Sequence, residues 1–409
     1  MPQALYLPPE VLDEILRLLL PNDKREFLFD LLAASLTCHR WRMVASRHFD
    51  DRRLKRLFEK PDWSLADLHR AESLLAESLR LGVNDGYLVE LVRLRVSDPW
   101  FGVEPESEQA AAQVAAILSL TPNLTHVSMD LGAPDTHAAW LKLQAVVEPL
   151  CPNVTWLYVT QKLFGGPPER LTELVSRMAS LKDIEFHHLN LPAELMTALA
   201  RHPGIKYATF RRTGILDLHL CVSRWPNLRM LKIRNPIVSN CERLWEEVAT
   251  SCPKLCWLIY KRGSPRGRHA DEEADGTGLA RVITRCRKLE RLDVESHPGV
   301  GDVFLAAAMR EGRRLMRVTF AGCRNVMTAP GGPWEAVERP WPRLEHLEMT
   351  GCGELTDGFV EKVLDRCSRL SKLVLPMHPE EGSMWPGMLE ARGFVQERDG
   401  VWQREMGGR

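Results

Sequence analysis

The sequence lacks several features that mark common classes of protein. No apolar run approaches the roughly 18 residues that a membrane-spanning helix requires. The 54 Lys and Arg residues equal the 54 Asp and Glu residues, so the formal net charge is zero. No whole-molecule field therefore attracts nucleic acid or an anionic membrane, although local patches can still do so. We accordingly expect neither a membrane partner nor a nucleic-acid partner.

Motifs of enzyme chemistry are also missing. The sequence has no nucleophile elbow, no HExxH zinc motif and no glycine-rich phosphate loop. His187 and His188 are read more simply as the polar end of a strand than as metal ligands. Cys252 and Cys256 lack the second short-spaced pair that a tetrahedral zinc site needs. We expect no catalytic activity, no cofactor and no metal.

The opening segment MPQALYLPPEVLDEI has no basic stretch leading into an apolar core, so a secretion signal is not expected. Ten cysteines are an even number and could pair, but without an export signal they are interpreted as reduced, buried thiols. The expected location is the cytoplasm, the nucleus or both.

The strongest positive signal is an internal repeat. A strand-like hexapeptide with apolar residues at its first, fourth and sixth positions occurs eleven times, at steps of 23 to 34 residues. The copies begin at Leu91, Leu124, Val154, Leu181, Ile205, Leu228, Leu255, Leu289, Leu315, Leu344 and Leu370. These steps overlap the period of about 20 to 29 residues that is typical of leucine-rich repeats, and some units are longer.

Helix-period segments such as NCERLWEEVATSC and TDGFVEKVLDRC separate the copies, which predicts one strand and one helix per unit. Such a unit cannot bury its own apolar face, so neighbouring units stack. The predicted fold class is α/β, a leucine-rich-repeat solenoid shaped like a horseshoe, with parallel strands inside and helices outside. The alternative, a doubly wound α/β domain, needs longer apolar strands and a glycine-rich phosphate turn.

Several cysteines occupy equivalent places in the repeat. Cys151, Cys252, Cys286 and Cys367 each come three residues before a leading apolar position, where other units have His202, Trp225 and Trp341. This pattern resembles the cysteine-containing subclass of leucine-rich repeats. Equivalent structural positions favour packed thiols over ligands.

Residues 5–50 differ from the repeats and form two amphipathic helical stretches. About 46 residues with apolar stripes on both helices bury too little surface to be robust alone, so a partner surface is expected. The order Leu-Pro-x-Glu, then Ile-Leu, then Leu-x-Cys-x-x-Trp resembles the F-box, and the LPPE opening is similar to many fungal members. The matching residues are Leu7, Pro8, Glu10, Ile15, Leu36, Cys38 and Trp41.

What the F-box resemblance implies is a small all-α docking module. It would bind a Skp-family adaptor, and through it a cullin-RING ubiquitin ligase, with this chain as the substrate-recognition subunit. The charged connection from Asn22 to Arg25 is longer than the family pattern. Two alternatives stay open, namely a helical cap on the solenoid and an F-box scaffold that acts outside ubiquitination.

The predicted domain organisation has four parts. Residues 1–50 are the F-box, 51–86 a helical linker, 87–376 the repeat domain and 377–409 a C-terminal cap with a hairpin turn at Asp399 and Gly400. Residues 261–278 are polar and glycine-rich, and we interpret them as an insertion.

The repeat pattern also predicts a substrate surface. Side chains alternate along a strand, so the third, fifth and seventh positions of each copy face the concave side. Aromatic and basic residues concentrate there: Trp156, Tyr158, Tyr207, Arg211, Lys232, Arg234 and Trp257. Such side chains often carry interface energy, so we expect an unidentified protein substrate with an acidic or phosphorylated segment. The alternative is a set of scattered surface residues with no shared ligand.

Overall fold

The computed structural model describes residues 10–11, 65–80, 91–95, 104–120, 125–131, 145, 147–165, 171–214, 217–236, 242–262, 276–376, 384–398 and 400–404. The chain divides into two compact units, Met1–Leu181 and Lys182–Arg409, which are described separately. The polar insertion falls largely outside the described residues, at 263–275. Within the described residues, no helix has the length and hydropathy needed to cross a membrane.

The first unit alternates helices and parallel strands. Its elements are α1 (Leu65–Arg80), β1 (Leu91–Arg95), α2 (Glu104–Ser119), β2 (His126–Leu131), a 3-10 helix (Glu148–Asn153), β3 (Trp156–Gly165) and α3 (Leu171–Arg177). Strands β1, β2 and β3 pair in parallel and in sequence order. Helix α1 buries Leu68, Ala71 and Leu75, which share one face at helical spacing.

The second unit repeats one strand and one helix. The strands are β4 (Asp183–Leu189), β5 (Tyr207–Arg211), β6 (Met230–Arg234), β7 (Trp257–Lys261), β8 (Arg291–Glu295), β9 (Arg317–Ala321), β10 (His346–Glu348) and β11 (Lys372–Val374). The helices are α4 (Ala193–Ala200), α5 (Leu218–Val222), α6 (Glu242–Ser251), α7 (Thr277–Arg285), α8 (Asp302–Glu311) and α9 (Asp357–Arg366). Each strand pairs in parallel with the next.

The apolar hexapeptide positions form the core of this unit. In the copy around β5, Ile205, Ala208 and Phe210 are all buried, and the later copies bury the same three positions. The helices pack their apolar stripes against this face, as α6 does with Leu244 and Val248. The predicted α/β leucine-rich-repeat fold is therefore confirmed.

One repeat departs from the pattern. The described residues between β9 and β10, 322–345, contain no helix. Pro330, Gly331, Gly332 and Pro333 interrupt this stretch, and proline and glycine are the poorest helix formers. Trp334 packs edge-on against Phe359 with ring centroids 5.4 Å apart, so an indole supplies the apolar contact that a helix gives elsewhere.

A recurring turn follows the strands of the second unit. The residue five places after the strand start has a positive φ at His188, Arg212, Asn235, Ser296, Gly322 and Gly351. In three of these repeats the side chain of the next residue donates a hydrogen bond to a carbonyl of the preceding strand. The bonds are Thr213 Oγ1 to Phe186 O at 3.0 Å, Cys323 Sγ to Val294 O at 3.6 Å and Cys352 Sγ to Phe320 O at 2.7 Å.

All eight cysteines of the described residues are free thiols, and six are buried as predicted, whereas Cys256 and Cys352 are half-buried. Cys286 Sγ donates to Cys252 O at 3.4 Å, and burial raises the pKa of the Cys286 thiol to about 12. Trp341 fills the equivalent place in another repeat, and its Nε1 donates to Ala308 O at 2.8 Å. The thiol and the indole are therefore equivalent, because each donates a hydrogen bond to a carbonyl near the C-terminal end of the helix in the preceding unit.

The second unit ends in an antiparallel hairpin. Helix α10 (Trp385–Ala391) leads into β12 (Phe394–Arg398) and β13 (Val401–Arg404), and β13 pairs antiparallel with β11. Gly400 precedes β13 with φ of 72°, and a Cβ there would lie 2.4 Å from Leu375 O. Glycine is therefore required at the predicted hairpin turn.

Candidate partner-binding site

The register of the second unit arranges the polar face of its sheet in three rows. Equivalent residues of parallel strands lie side by side, so each row runs across the strands. The first row is Tyr207, Met230, Trp257, Arg291, Arg317 and His346. The middle row is Thr209, Lys232, Ile259, Asp293, Thr319 and Glu348. The last row is Arg211, Arg234, Lys261, Glu295 and Ala321.

The middle row is less accessible than alternation along a strand predicts. Thr209, Ile259, Asp293 and Thr319 are buried, and Lys232 is half-buried. These side chains are mostly short, and longer arginine, lysine and aromatic groups flank them in the other two rows. A partner on this face therefore meets chiefly the first and last rows.

Strands β5 to β7 carry three cations that lack internal counterions. Arg211, Lys232 and Arg234 form no ion pair with any carboxylate of the described residues. Tyr207 lies beside them in the first row, as does Trp257, which is 43% exposed. We call these five residues the basic-aromatic zone.

On each side of this zone, one carboxylate has a partner of its own. On β4, His187 Nε2 lies 2.7 Å from Glu185 Oε1. On the opposite side, Lys261 Nζ lies 3.1 Å from Glu295 Oε2. Glu185 and Glu295 thus have partners of their own, and the positive charge of the basic-aromatic zone is left for an external anion.

Asp293 anchors a separate charge cluster beyond the zone. Its buried carboxylate accepts hydrogen bonds through Oδ2 from Arg291, with Nε at 2.9 Å. Oδ1 lies 3.6 Å from Arg317 Nε, which is within ion-pair range but too far for a hydrogen bond. Electrostatic attraction alone links that second arginine to the carboxylate, so Asp293 neutralises residues that would otherwise enlarge the basic surface.

Two observations show that the zone is electrostatically unsatisfied. Burial lowers the pKa of the Lys232 ammonium, and the positive charges of Arg234, Arg291 and Arg211 lower it further against an opposing effect of Glu185. Arg234 Nε is buried and has no hydrogen-bond partner among the described residues. A carboxylate or phosphate would supply both a charge and an acceptor there.

Five of the predicted substrate residues, those of the basic-aromatic zone, lie on adjacent strands. The other two, Trp156 and Tyr158, lie on β3 in the first unit, where their rings stack with centroids 5.9 Å apart. Met230 has the concave-face position that the repeat pattern predicts and lies between Tyr207 and Trp257 in the first row, but it was not among the seven residues predicted to bind the substrate. The alignment of the hexapeptides indicates a role for Met230, because the aligned residues on both neighbouring strands are aromatic.

The predicted adaptor-binding residues lie almost wholly outside the described part of the chain. These are Leu7, Pro8, Ile15, Leu36, Cys38 and Trp41, whereas Glu10 is described and exposed. No group of three or more His, Cys, Asp or Glu residues in the described ranges is placed to hold a metal ion. His188 lies near the end of β4 with φ of 58°, and burial lowers the pKa of its imidazole.

Comparison with known proteins gives a family match for the N-terminal segment. Residues 4–54 match the family model described as F-box-like. No curated protein matches the chain in sequence.

Solved structures with similar folds share little sequence with the chain. A Listeria monocytogenes internalin is 12% identical, with a TM-score of 0.42 over 76% of this chain and 88% of its own. A chain of the yeast Rad7 and Elc1 complex is 14% identical, with a TM-score of 0.44 over 90% and 97%. A Leptospira interrogans leucine-rich-repeat protein is 12% identical, with a TM-score of 0.33 over 74% and 80%. The chain therefore carries an F-box-like segment at residues 4–54, followed by the strand-and-helix units of a leucine-rich-repeat fold.

Proposed function

We propose that this chain is the substrate-recognition subunit of an SCF-type cullin-RING E3 ubiquitin ligase. The F-box-like segment docks to a Skp-family adaptor, and the polar face of the repeat sheet binds the protein substrate. The observation that carries the proposal is the F-box-like match at residues 4–54 ahead of a repeat sheet with unneutralised cations. Ubiquitin transfer itself belongs to other subunits, and the chain acts in the cytoplasm, the nucleus or both.

The docking half of the proposal rests on the apolar residues of the F-box-like segment. Leu7, Pro8 and Trp41 belong to the matched region, and an adaptor surface would bury them. The triple variant Leu7→Ala, Pro8→Ala and Trp41→Ala should abolish co-purification with the adaptor. The repeat domain should unfold at the same urea concentration as in the wild type. Retained adaptor binding in this variant would refute the docking role.

The recognition half rests on the basic-aromatic zone. Guanidinium groups bind carboxylate and phosphate in a bidentate manner, and exposed Tyr and Trp supply contact area at low entropic cost. An acidic or phosphorylated segment laid across β5 to β7 would meet Arg211 and Arg234 in one row and Tyr207 and Trp257 in another. The substrate class we propose is therefore a protein with such a segment.

A charge-reversal pair tests this role. Arg211→Glu with Arg234→Glu should lose partners that wild-type chain captures from cells, and those partners should accumulate. Arg243→Glu with Arg281→Glu changes the net charge equally but lies on helices α6 and α7. That control should keep every partner. Equal capture by both variants would refute the zone as the substrate site.

The alternative is a scaffold that uses the same adaptor contact outside ubiquitination. Purifying the chain with its adaptor and probing for cullin separates the two functions. In the ligase, cullin co-elutes and captured partners accumulate when the chain is lost. Adaptor binding without cullin, and with unchanged partner levels, would favour the scaffold.

A further inference from the structure

A four-residue turn precedes each strand of the second unit from β5 to β11. Each of the last five turns is closed by a backbone hydrogen bond of 2.9 to 3.1 Å, such as Leu289 N to Cys286 O and Leu370 N to Cys367 O. The third residue of the turn is basic in five consecutive repeats. We call these residues the cation row: Lys254, Lys288, Arg314, Arg343 and Arg369.

Backbone hydrogen bonds hold these turns side by side. The residue before each strand is bonded to its equivalent in the preceding repeat, as in Glu290 N to Cys256 O and Met316 N to Glu290 O, both at 2.8 Å. Parallel strands lie about 4.8 Å apart, so the five turns span about 19 Å along the edge. The row is therefore a line of like charges with regular spacing.

The cation row belongs to a wider basic edge. The stretches 201–206, 224–229, 252–256, 285–290, 310–316, 338–345 and 365–371 contain fifteen Lys and Arg residues and five carboxylates. None of the fifteen forms an ion pair within the described residues, whereas Asp365 is engaged by Arg392 at 2.6 Å. A chain with zero net charge thus carries a strongly positive edge.

The edge offers charge without apolar contact. The leucines that close the turns, including Leu289, Leu315 and Leu370, are buried, and no large exposed hydrophobic residue lies in these stretches. Protein interfaces depend on a buried apolar or aromatic centre, and peripheral membrane helices insert an apolar face. A phosphodiester backbone, by contrast, can be bound by Lys and Arg side chains without an apolar contact.

A recess lies within this edge. A cavity of about 420 Å³ opens between the turns before β8 and β9, and Arg287, Arg313 and Arg314 line it together with Glu311. We propose that the cation row and this recess bind the phosphate backbone of a nucleic-acid duplex without reading its sequence. This site is separate from the sheet face and does not depend on the ubiquitin-ligase proposal.

Salt-dependent binding by the full chain tests the proposal. Fluorescence anisotropy with a short labelled DNA duplex should show log K falling linearly with log salt, with a slope of about −4.5 for five phosphate contacts. Replacing Lys288, Arg314 and Arg369 with Ala should reduce that slope by about 3 and weaken binding at least about tenfold at low salt. The exposed turn side chains can be removed without unfolding, which a urea transition checks.

A matched control removes the same charge from the sheet face. Arg211→Ala with Lys232→Ala and Arg234→Ala should leave the duplex affinity and its slope unchanged. Equal losses in the two triple variants, or a wild-type chain that does not bind the duplex, would overturn the proposal. So would binding of phosphatidylserine vesicles or polyglutamate through the row in the absence of duplex binding.

Discussion

Arg211 and Arg234 are direct partners in the register of β5 and β6, so the two arginine side chains leave the same face of the sheet from adjacent strands. Neither is neutralised by a carboxylate of the described residues. Like charges on neighbouring strands destabilise a sheet, and function is the usual reason that such an arrangement persists. The site should therefore gain stability when its charges are reduced.

We predict that Lys232→Met raises the free energy of unfolding by about 0.5 kcal/mol at low salt, because it removes a partly desolvated cation from among like charges. Salt should shrink this gain, since screening weakens the repulsion in the wild type. Urea unfolding at low and high salt measures the effect. Lys261→Met is the control, because it loses the 3.1 Å pair with Glu295 and should lower stability slightly. A loss of stability in Lys232→Met would contradict the prediction.

We predict that Asp293→Asn lowers the free energy of unfolding by about 1 to 3 kcal/mol. The carboxylate is buried between Arg291 and Arg317, and the neutral amide leaves Arg291 without its counterion and Arg317 with only its 4.0 Å pair to Glu348. The arginines remain partly solvated, which keeps the loss below that of a fully buried pair. Glu295→Gln breaks a more exposed pair and should cost about 0.5 kcal/mol or less. Equal effects of the two substitutions in urea unfolding would argue against the anchoring role of Asp293.

We predict that His297 makes the fold acid-sensitive. Burial, with a smaller effect of Arg262, lowers the pKa of its imidazole from 6.5 to about 4. Between these values the unfolded chain takes up a proton that the fold excludes. The free energy of unfolding therefore falls as pH drops from 6.5 towards 4, by roughly 3 kcal/mol in total.

The test of His297 compares its asparagine variant with the wild type. In the wild type, Gly299 N donates a hydrogen bond to His297 Nδ1 at 3.1 Å. The His297→Asn variant keeps an acceptor for this bond but has no group that titrates in this range. Its loss of stability between pH 6.5 and 4 should be smaller than that of the wild type. Asp183 acts in the opposite direction, since burial raises its pKa to about 6, but it is present in both proteins. Parallel urea midpoints across this range would rule out the His297 effect.

We predict that Gly322→Ala lowers the free energy of unfolding by about 1 to 2 kcal/mol. Gly322 has φ of 68°, which a side chain disfavours, and a Cβ would lie 2.9 Å from Ser296 Oγ. Gly387→Ala is the matched control, because it lies in helix α10 with nothing within 4 Å of the new Cβ. That change should be neutral or stabilising by about 0.5 kcal/mol. Similar shifts in thermal unfolding for the two variants would contradict this reasoning.

Sequence periodicity was enough to predict the core and the strand register of the second unit. Leu228, Leu231 and Ile233 illustrate why. Once the strand is placed, alternation along it decides which side chains face the core, and these three are buried. It was also enough to bring Arg211 beside Arg234, because registered strands follow from aligned hexapeptides.

Features that depend on contacts between repeats were not predicted. Alternation along one strand predicts that Asp293 is exposed. It is buried because arginines of its own strand and of the next strand pack around its carboxylate. The positive φ of Arg212 has no local signal, because arginine rarely adopts that conformation. The basic edge was not predicted because the net charge, which is zero, is summed over the whole chain and does not show where the charges lie.

The hairpin that ends the second unit has a consequence for self-association. Strand β12 is the outermost, and it carries a register shift between Gln396 and Arg398 with exposed Glu397 between them. A second copy that approached this margin would meet a bent backbone and mixed charge instead of a straight row of free amide groups. Strand addition is therefore disfavoured at this margin, even though each strand behind it pairs with its neighbours.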